Sequence, residues 1–245
     1  MTCCGVIPIR LDSKRFPGKG LAKLAGKEII LHTWERAKQY QGFSKLLVAT
    51  DSAEIKNLIE ARGGEVYFSD QRFRNGSERV AAACAALECE ICVNVQGDEV
   101  FVTPESIAAA VELLEKRPEF AVTTAVFPIP ADVDPADPNL VKAVLHEDGT
   151  VYGFSRTIFS GTPSTEHPEN YGHIGIYAFR KDFLLKYPTL PESDGERQES
   201  LEQLRVLEHG YRIGAVIVQQ PLLAINSPAD LEAAEKQLAM IGGPS

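Results

Sequence analysis

Six basic residues fall between Arg10 and Lys27 (Arg10, Lys14, Arg15, Lys19, Lys23, Lys27) against one acid, Asp12, in a chain of formal charge −9. The head of that stretch, Arg10 to Lys19, follows directly on an apolar run, Cys3 to Ile9, of the kind a strand buried on both faces shows. Where a strand turns into a helix, backbone N–H groups converge, and α/β folds bind phosphate there. The side chains of Arg10, Arg15 and Lys19 add charge suited to the oxygens of a triphosphate and of a departing pyrophosphate. The loop has neither the G-x-G-x-x-G of a dinucleotide site nor the G-x-x-x-x-G-K-[ST] of a Walker loop. A solvated basic loop around a Pro-Gly turn is the plain alternative, and the position just after the first strand makes it the weaker one.

A second stretch, Val93-Asn94-Val95-Gln96-Gly97-Asp98-Glu99, reads as a buried strand ending in a turn at the carboxyl edge of the sheet. Gly97 permits close backbone approach. Asp98 is a hard oxygen ligand of the kind that holds Mg²⁺ against nucleotide phosphates. A strand-terminal Asp on its own is often a turn or cap residue; beside a cationic loop at the same edge, the metal reading is the better one.

The elements that must position these groups follow from periodicity. Apolar runs at Cys3–Ile9, Lys45–Thr50, Glu65–Phe68 and Ile91–Val95 alternate with helical spacing over Ile29–Tyr40, Ala53–Arg62 and Ser77–Leu87. Ser52 and Thr103 stand where helix N-caps belong, Pro104 at a first helical position, and Gly63-Gly64 where a helix ends. The stretch 121–180 holds several extended runs broken by Pro, Asp and Gly, with a polar loop over Gly161–Asn170. Helices return at Leu184–Tyr187, Glu199–Gly210 and from Pro228 to about Met240, with a strand at Arg212–Val218. The expected fold is α/β: a mixed, mainly parallel central sheet with helices on both faces, plus a β-rich insertion, in one domain over residues 1–245.

Composition bounds the function. Hydrophobic residues make up 44% and charged residues 24%, the balance of a globular chain, and no apolar run approaches the length of a membrane span. The net charge argues against nonspecific nucleic-acid binding. The N-terminus, MTCCGVIPIR, lacks a signal peptide's basic and apolar regions, and five cysteines form an odd count without zinc spacing. A cytoplasmic protein with reduced, packed thiols is expected; Cys89-x-x-Cys92 runs into a strand and is read as structural.

Taken together, P-x-R-x-x-S-x-R-x-P-G-K at Pro8–Lys19, the Asn75–Arg79 segment, V-N-V-Q-G-D-E, Phe154-Ser155-Arg156, His173-Ile174-Gly175-Ile176-Tyr177 and Ser200-Leu201-Glu202-Gln203-Leu204-Arg205 resemble the 3-deoxy-manno-octulosonate (Kdo) cytidylyltransferase family, from Val6 to about Glu235. The resemblance implies a Rossmann-like nucleotidyltransferase fold. CTP would be held by Arg10, Ser13, Arg15, Lys19, Gly76, Arg79, Gln96 and Asp98, with Arg10, Arg15, Lys19 and Asp98 catalytic. Mg²⁺ would be the cofactor, at Asp98 and at the position of Asn226. The acidic sugar would contact Gln96, Arg156, His173, Tyr177, Glu202 and Gln203. A homodimer is implied, with residues 121–180 contributing to its interface, and neither nucleic acid nor membrane as a partner. Taken singly, His173 could be a hydrogen-bonded core histidine, Glu202 and Arg205 an i,i+3 ion pair, and Arg156 a surface residue.

Three positions depart from the family pattern. Asn226 stands where an Asp is usual, Val100 where a Pro follows Gly-Asp-Glu, and Thr157–Gly161 where a Pro-rich run is usual. They bear on metal and acceptor rather than on the nucleotide loop. A modified octulosonate or other acidic acceptor is therefore the alternative substrate. A catalytically silent nucleotide-binding homologue, favoured by Asn226, and a sugar-1-phosphate nucleotidyltransferase are the alternative functions.

Overall fold

The first strand, β1 (Cys3–Pro8), is buried along its whole length, and its side chains alternate between two cores: Cys3 and Ile7 enter one, Cys4 and Val6 the other. Burial on both faces requires helices on both. The computed structural model describes residues 1–11, 16–162, 165, 169–219, 224–225 and 227–241. Within them β1 is followed by β2 (Lys23–Leu24), β3 (Lys27–Glu28), α1 (Ile29–Ala37), β4 (Phe43–Thr50), α2 (Ala53–Glu60), β5 (Glu65–Phe68), α3 (Gly76–Cys84), β6 (Ile91–Val95) and α4 (Pro104–Lys116). Then come β7 (Val122–Pro128), β8 (Lys142–Leu145), β9 (Val151–Ser155), β10 (Tyr171–Arg180), α5 (Lys181–Lys186), α6 (Asp194–Glu199), α7 (Leu204–Glu208), β11 (Ile213–Ile217) and α8 (Pro228–Ile241). Helices α1, α2, α4 and α8 bury apolar residues on the Ile7 side; α3, α5 and α7 do so on the Val6 side.

The sheet runs β11-β7-β10-β6-β1-β4-β5. The β1–β4, β1–β6, β4–β5 and β7–β11 pairs are parallel, whereas β10 is antiparallel to both β6 and β7, so the sheet is mixed, as expected. The expected β-rich insertion is smaller than 121–180. Strands β7 and β10 sit inside the central sheet, and only the β8–β9 hairpin branches from it, through β8 and β10. The reason is burial: His173 apart, β10 is closed to solvent from Gly172 to Phe179, which only a strand between two neighbours achieves.

Local signals were accurate where the chemistry is local. The Ser52 hydroxyl accepts from Ile55 N–H at 3.2 Å, and Thr103 with Ser106 forms a capping box ahead of Pro104. Gly63 takes φ 74° and Gly64 N–H closes α2 on the Ile59 carbonyl. Of the helix expected over Glu199–Gly210 only Leu204–Glu208 forms, because the span begins at the end of another helix. Chain α6 stops at Glu199, Ser200 adopts the left-handed conformation (φ 54°, ψ 47°), and α7 restarts at Leu204. Leu201, Leu204 and Val206 all enter one core, so apolar spacing runs on through the break and conceals it.

The five cysteines are free, and burial pushes the Cys3 thiol up to about 12. Among the described residues no helix is long and apolar enough to cross a membrane.

The hairpin between β2 and β3 turns on Ala25 and Gly26, both at positive φ (48° and 81°). That pairing belongs to a type I′ turn, which favours Asn-Gly because a Cβ-bearing aliphatic residue is strained there. Ala25→Asn should stabilise the protein by about 0.5–1 kcal/mol. Urea unfolding of both proteins checks this, through a raised midpoint at an unchanged slope.

Candidate active site

At the carboxyl ends of β1 and β6 two chain turns meet. Arg10 lies two residues beyond β1 and is exposed. Gly18, at φ 72°, bends the chain back so that its N–H reaches the Leu11 carbonyl at 2.9 Å. Lys19 follows, and its ammonium forms an ion pair with the Asp98 carboxylate. Gly97 brings the second turn close: a Cβ there would lie 2.8 Å from Ile9 Cδ1 and 3.0 Å from the Pro8 carbonyl oxygen. Thr33 of α1 donates its hydroxyl to the Gly97 carbonyl at 3.1 Å. The cationic loop and Asp98 therefore do converge at one sheet edge. Ser13, Arg15 and Asn226 lie outside the described residues.

Gly76 and Arg79 stand in the first turns of α3. Arg79 reaches toward β4, where one nitrogen donates to Asp51 Oδ2 at 2.6 Å and the guanidinium lies over the Phe73 ring. Its other terminal nitrogen, Nη1, is buried without a partner among the described residues. An unsatisfied buried donor costs about 1–3 kcal/mol, a cost that a bound acceptor removes. Gly76 serves proximity: a Cβ there would meet Gln96 Nε2 at 3.0 Å.

Beyond Asp98 opens a cleft of about 280 Å³. Gln96, Arg156, His173, Tyr177, Glu202 and Gln203, which come from β6, the end of β9, β10 and the α6–α7 turn, all line it together with Asp98. Gln96 Nε2 donates to Glu202 Oε1 at 3.0 Å, while Glu202 Oε2 accepts from Ser77 N–H at 2.9 Å at the start of α3. Glu202 is thus a cap on α3, not the partner of Arg205. Arg205 is fully buried and binds Glu196 (2.6 Å) and Glu78 (2.9 Å) instead. Desolvation raises the Glu202 carboxyl, and the Ser77 N–H opposes the shift. Arg156 is anchored rather than free: Nε donates to the Glu199 carbonyl and Nη1 to the Pro138 carbonyl, each at 2.8 Å.

His173 and Tyr177 do share a face, as their spacing implies, but lie closer than a regular strand allows. Their ring centroids are 5.3 Å apart. Four residues of strand span about 13 Å. A bulge between Ile174 and Tyr177 shortens that span, since His173 opposes Val126 and Tyr177 opposes Thr124, two residues apart on β7. The Thr124 hydroxyl donates to the Ile176 carbonyl at 2.7 Å, which leaves it as acceptor for His173 Nε2–H at 3.0 Å. That sets the tautomer, with Nδ1 the ring's acceptor. Desolvation pulls His173 down to about 3, so the ring is neutral at ordinary pH. Desolvation likewise raises the Tyr177 phenol well above its usual range.

Residue-by-residue reading missed Glu99, Thr124 and Ser200. Glu99 is 3% exposed, and burial, then the neighbouring Asp98 carboxylate, push its carboxyl up to about 8. The sequence shows an acid beside an acid at a strand end; only the β10 backbone across the sheet reveals what it binds. Thr124 reads as one of two adjacent β-branched strand residues, Thr123-Thr124, and Ser200 is hidden in a continuous helical pattern.

Among the described residues no three His, Cys, Asp or Glu side chains cluster to cage a metal ion. The Asp98 carboxylate, already carrying a cation in the form of the Lys19 ammonium, fits Mg²⁺ of the kind held by one or two carboxylates, waters and substrate phosphates.

Residues 4–213 match the family model described as cytidylyltransferase. The 3-deoxy-manno-octulosonate cytidylyltransferase of Syntrophotalea carbinolica is 38% identical, covering 97% of this chain and 99% of its own. That of Leptospira interrogans serovar Lai is 39% identical over 93% of this chain and 92% of its own. The solved CMP:2-keto-3-deoxy-manno-octonic acid synthetase complexed with CTP superposes with a TM-score of 0.88 at 33% identity, over 98% of this chain and all of the other. The 4-diphosphocytidyl-2C-methyl-D-erythritol synthase of Anaerococcus prevotii, at 13% identity and a TM-score of 0.63, shares the fold. With near-complete coverage in sequence and in structure, the chain belongs to the 3-deoxy-manno-octulosonate cytidylyltransferase family.

Proposed function

We propose that the protein transfers CMP from CTP to the anomeric hydroxyl of a Kdo-type sugar acid, releasing pyrophosphate, for lipopolysaccharide or capsule synthesis in the cytoplasm. The observation that carries this reading is the cleft in which Gln96, Arg156, His173, Tyr177, Glu202 and Gln203 converge beside Asp98. Arg156 supplies the cation for the sugar carboxylate. Neutral His173, Tyr177, Gln96 and Gln203 supply hydrogen bonds to hydroxyl groups. Across Asp98, Arg10, Lys19 and Arg79 form the nucleotide half, to which Ser13 and Arg15 are assigned from the sequence alone. Phosphoryl-group transfer to an oxygen nucleophile needs mainly alignment and charge neutralisation, and this division of labour provides both. Mg²⁺ held by Asp98 would add charge neutralisation on the phosphates. Lys19, paired with Asp98, supplies a cation at the same edge for the departing pyrophosphate. The protein acts as a homodimer in this reading; exposed Tyr152 and Ile158, beside the β8–β9 hairpin, and Ile217 on the edge strand offer apolar surface for the contact.

The test is pyrophosphate release from CTP and Mg²⁺ with and without Kdo. Wild type should show Kdo-dependent release, and Asp98→Ala should lose about 100-fold or more in kcat/KM. Release that requires a sugar phosphate, or CTP binding with no turnover for any acceptor, would overturn the reading. Because desolvation pulls His173 down to about 3, the acceptor KM should show no titration of this histidine between about pH 5 and 8. His173→Gln should raise that KM while leaving the shape of its pH profile unchanged, read from initial rates across the range. Asn226 offers a metal an uncharged oxygen where a carboxylate is usual, so Asn226→Asp should lower the Mg²⁺ concentration for half-maximal rate about tenfold. A magnesium titration of both proteins measures it.

A further inference from the structure

Glu99 has no part in the chemistry just described, yet it sits inside the joint between the two halves of the site. It is 3% exposed and lines the cleft, and its two oxygens differ. Oε1 accepts the Gly175 N–H at 2.6 Å, while Oε2 is buried with no protein partner among the described residues. A carboxyl group is retained there at the cost of a buried, unsatisfied oxygen, so the bond it does make has consequence.

That bond falls in the middle of the β10 bulge. On the β7 side the ladder is interrupted between Ile174 and Tyr177, which frees the Gly175 backbone from its neighbour. Both of its groups are taken up instead by the turn after β6: Gln96 N–H donates to the Gly175 carbonyl at 2.9 Å, and Gly175 N–H donates to Glu99. The fit leaves no room for a side chain, since a Cβ on Gly175 would lie 2.6 Å from Glu99 Oε1 and 2.9 Å from Gln96 Cγ. Thr124 pins the other side of the bulge through the Ile176 carbonyl. The bulge sets His173 and Tyr177 opposite Val126 and Thr124, two residues apart on β7, where four residues of regular strand would span about 13 Å, and their ring centroids lie 5.3 Å apart.

We propose that Glu99 is a positioning residue for the acceptor half of the site: its bond to Gly175 fixes the bulge that sets His173 beside Tyr177, and its place next to Asp98 ties that arrangement to the phosphate end. The proposal rests on the functional reading above for its substrate. Glu99 touches neither substrate nor reacting atoms in this role. Its effect passes through the β10 backbone.

The experiment compares Glu99→Ala, Glu99→Gln and Gly175→Ala with wild type in three readouts. The first is steady-state kinetics with Kdo and CTP, the second calorimetric CTP affinity, and the third the Gly175 amide resonance in ¹⁵N-glycine-labelled protein, assigned by its loss in Gly175→Ala. Glu99→Ala and Gly175→Ala should each raise the Kdo KM about tenfold or more, with CTP affinity within about twofold of wild type. Glu99→Gln should stay within about threefold in both, because its amide oxygen accepts the same N–H. The Gly175 proton should lie far downfield in wild type and Glu99→Gln, and move upfield in Glu99→Ala. An unchanged Kdo KM in Glu99→Ala would overturn the proposal. So would equal losses toward CTP and Kdo with a lowered unfolding temperature, which mark a merely structural role. If wild type fails to use Kdo, the functional reading falls, whereas the amide shift still decides whether Glu99 holds the bulge.

Discussion

Much of the site hangs on one buried cation. Arg205 is wholly excluded from water, and its guanidinium is gripped from two sides by Glu196 of α6 and Glu78 of α3, with the ring of Tyr187 beneath it at 4.6 Å. Arg74, paired to Glu78, balances the second acid, so the four charges sum to zero. Removing one member of such a cluster would leave a buried charge unpaired, at a cost of about 3–5 kcal/mol. The cluster straddles the turn between α6 and α7. Tyr187, stacked on Arg205, also donates its hydroxyl to the Glu202 carbonyl. In this way a charge network behind the cleft sets the backbone from which Glu202 and Gln203 project.

The same logic recurs on the opposite wall. Lys142, fully buried, donates to the carbonyls of Asp137, Leu140 and Arg156. Three main-chain acceptors from two separate loops thereby converge on one ammonium, and those loops carry cleft-lining Asp137, Asn139, Leu140 and Arg156. Both walls are held by long cationic side chains turned inward, toward carbonyls and carboxylates, and not by regular sheet pairing. Where sheet pairing does reach the site, at β10, its β7 side is broken by the bulge. Precision at the cleft comes from polar contacts made across layers of the fold.

This distinction explains what could be read from sequence. The buried strand β1, the caps at Ser52 and Thr103, the closing glycines of α2, and strands β5 and β6 are determined by neighbours along the chain, and their residue types announce them. The six side chains of the cleft were recognisable as a set only through the family resemblance. Taken singly, Arg205 looked like a partner for Glu202, three residues away on one helix, when its real partners lie nine residues and 127 residues distant. The break at Ser200, the β10 bulge and the bond from Gly175 to Glu99 leave no local trace, because each is decided by a segment far along the chain.

Strand order has a further consequence. The side chains lining the cleft beyond the β6 turn, from Val133 to Asp230, all come after α4, whereas Arg10, Lys19, Gly76 and Arg79 all precede β6. Strand β10 runs against its neighbours, so it delivers His173 from its beginning to the edge where β6 delivers Gln96 from its end. In the function proposed above, donor and acceptor recognition thus fall on successive stretches of one chain, with four residues, Gln96 to Glu99, as the seam. Divergence can proceed on one side of that seam while the other stays constant, which is how a single cytidylyl-transferring scaffold could come to serve acceptors of different shape.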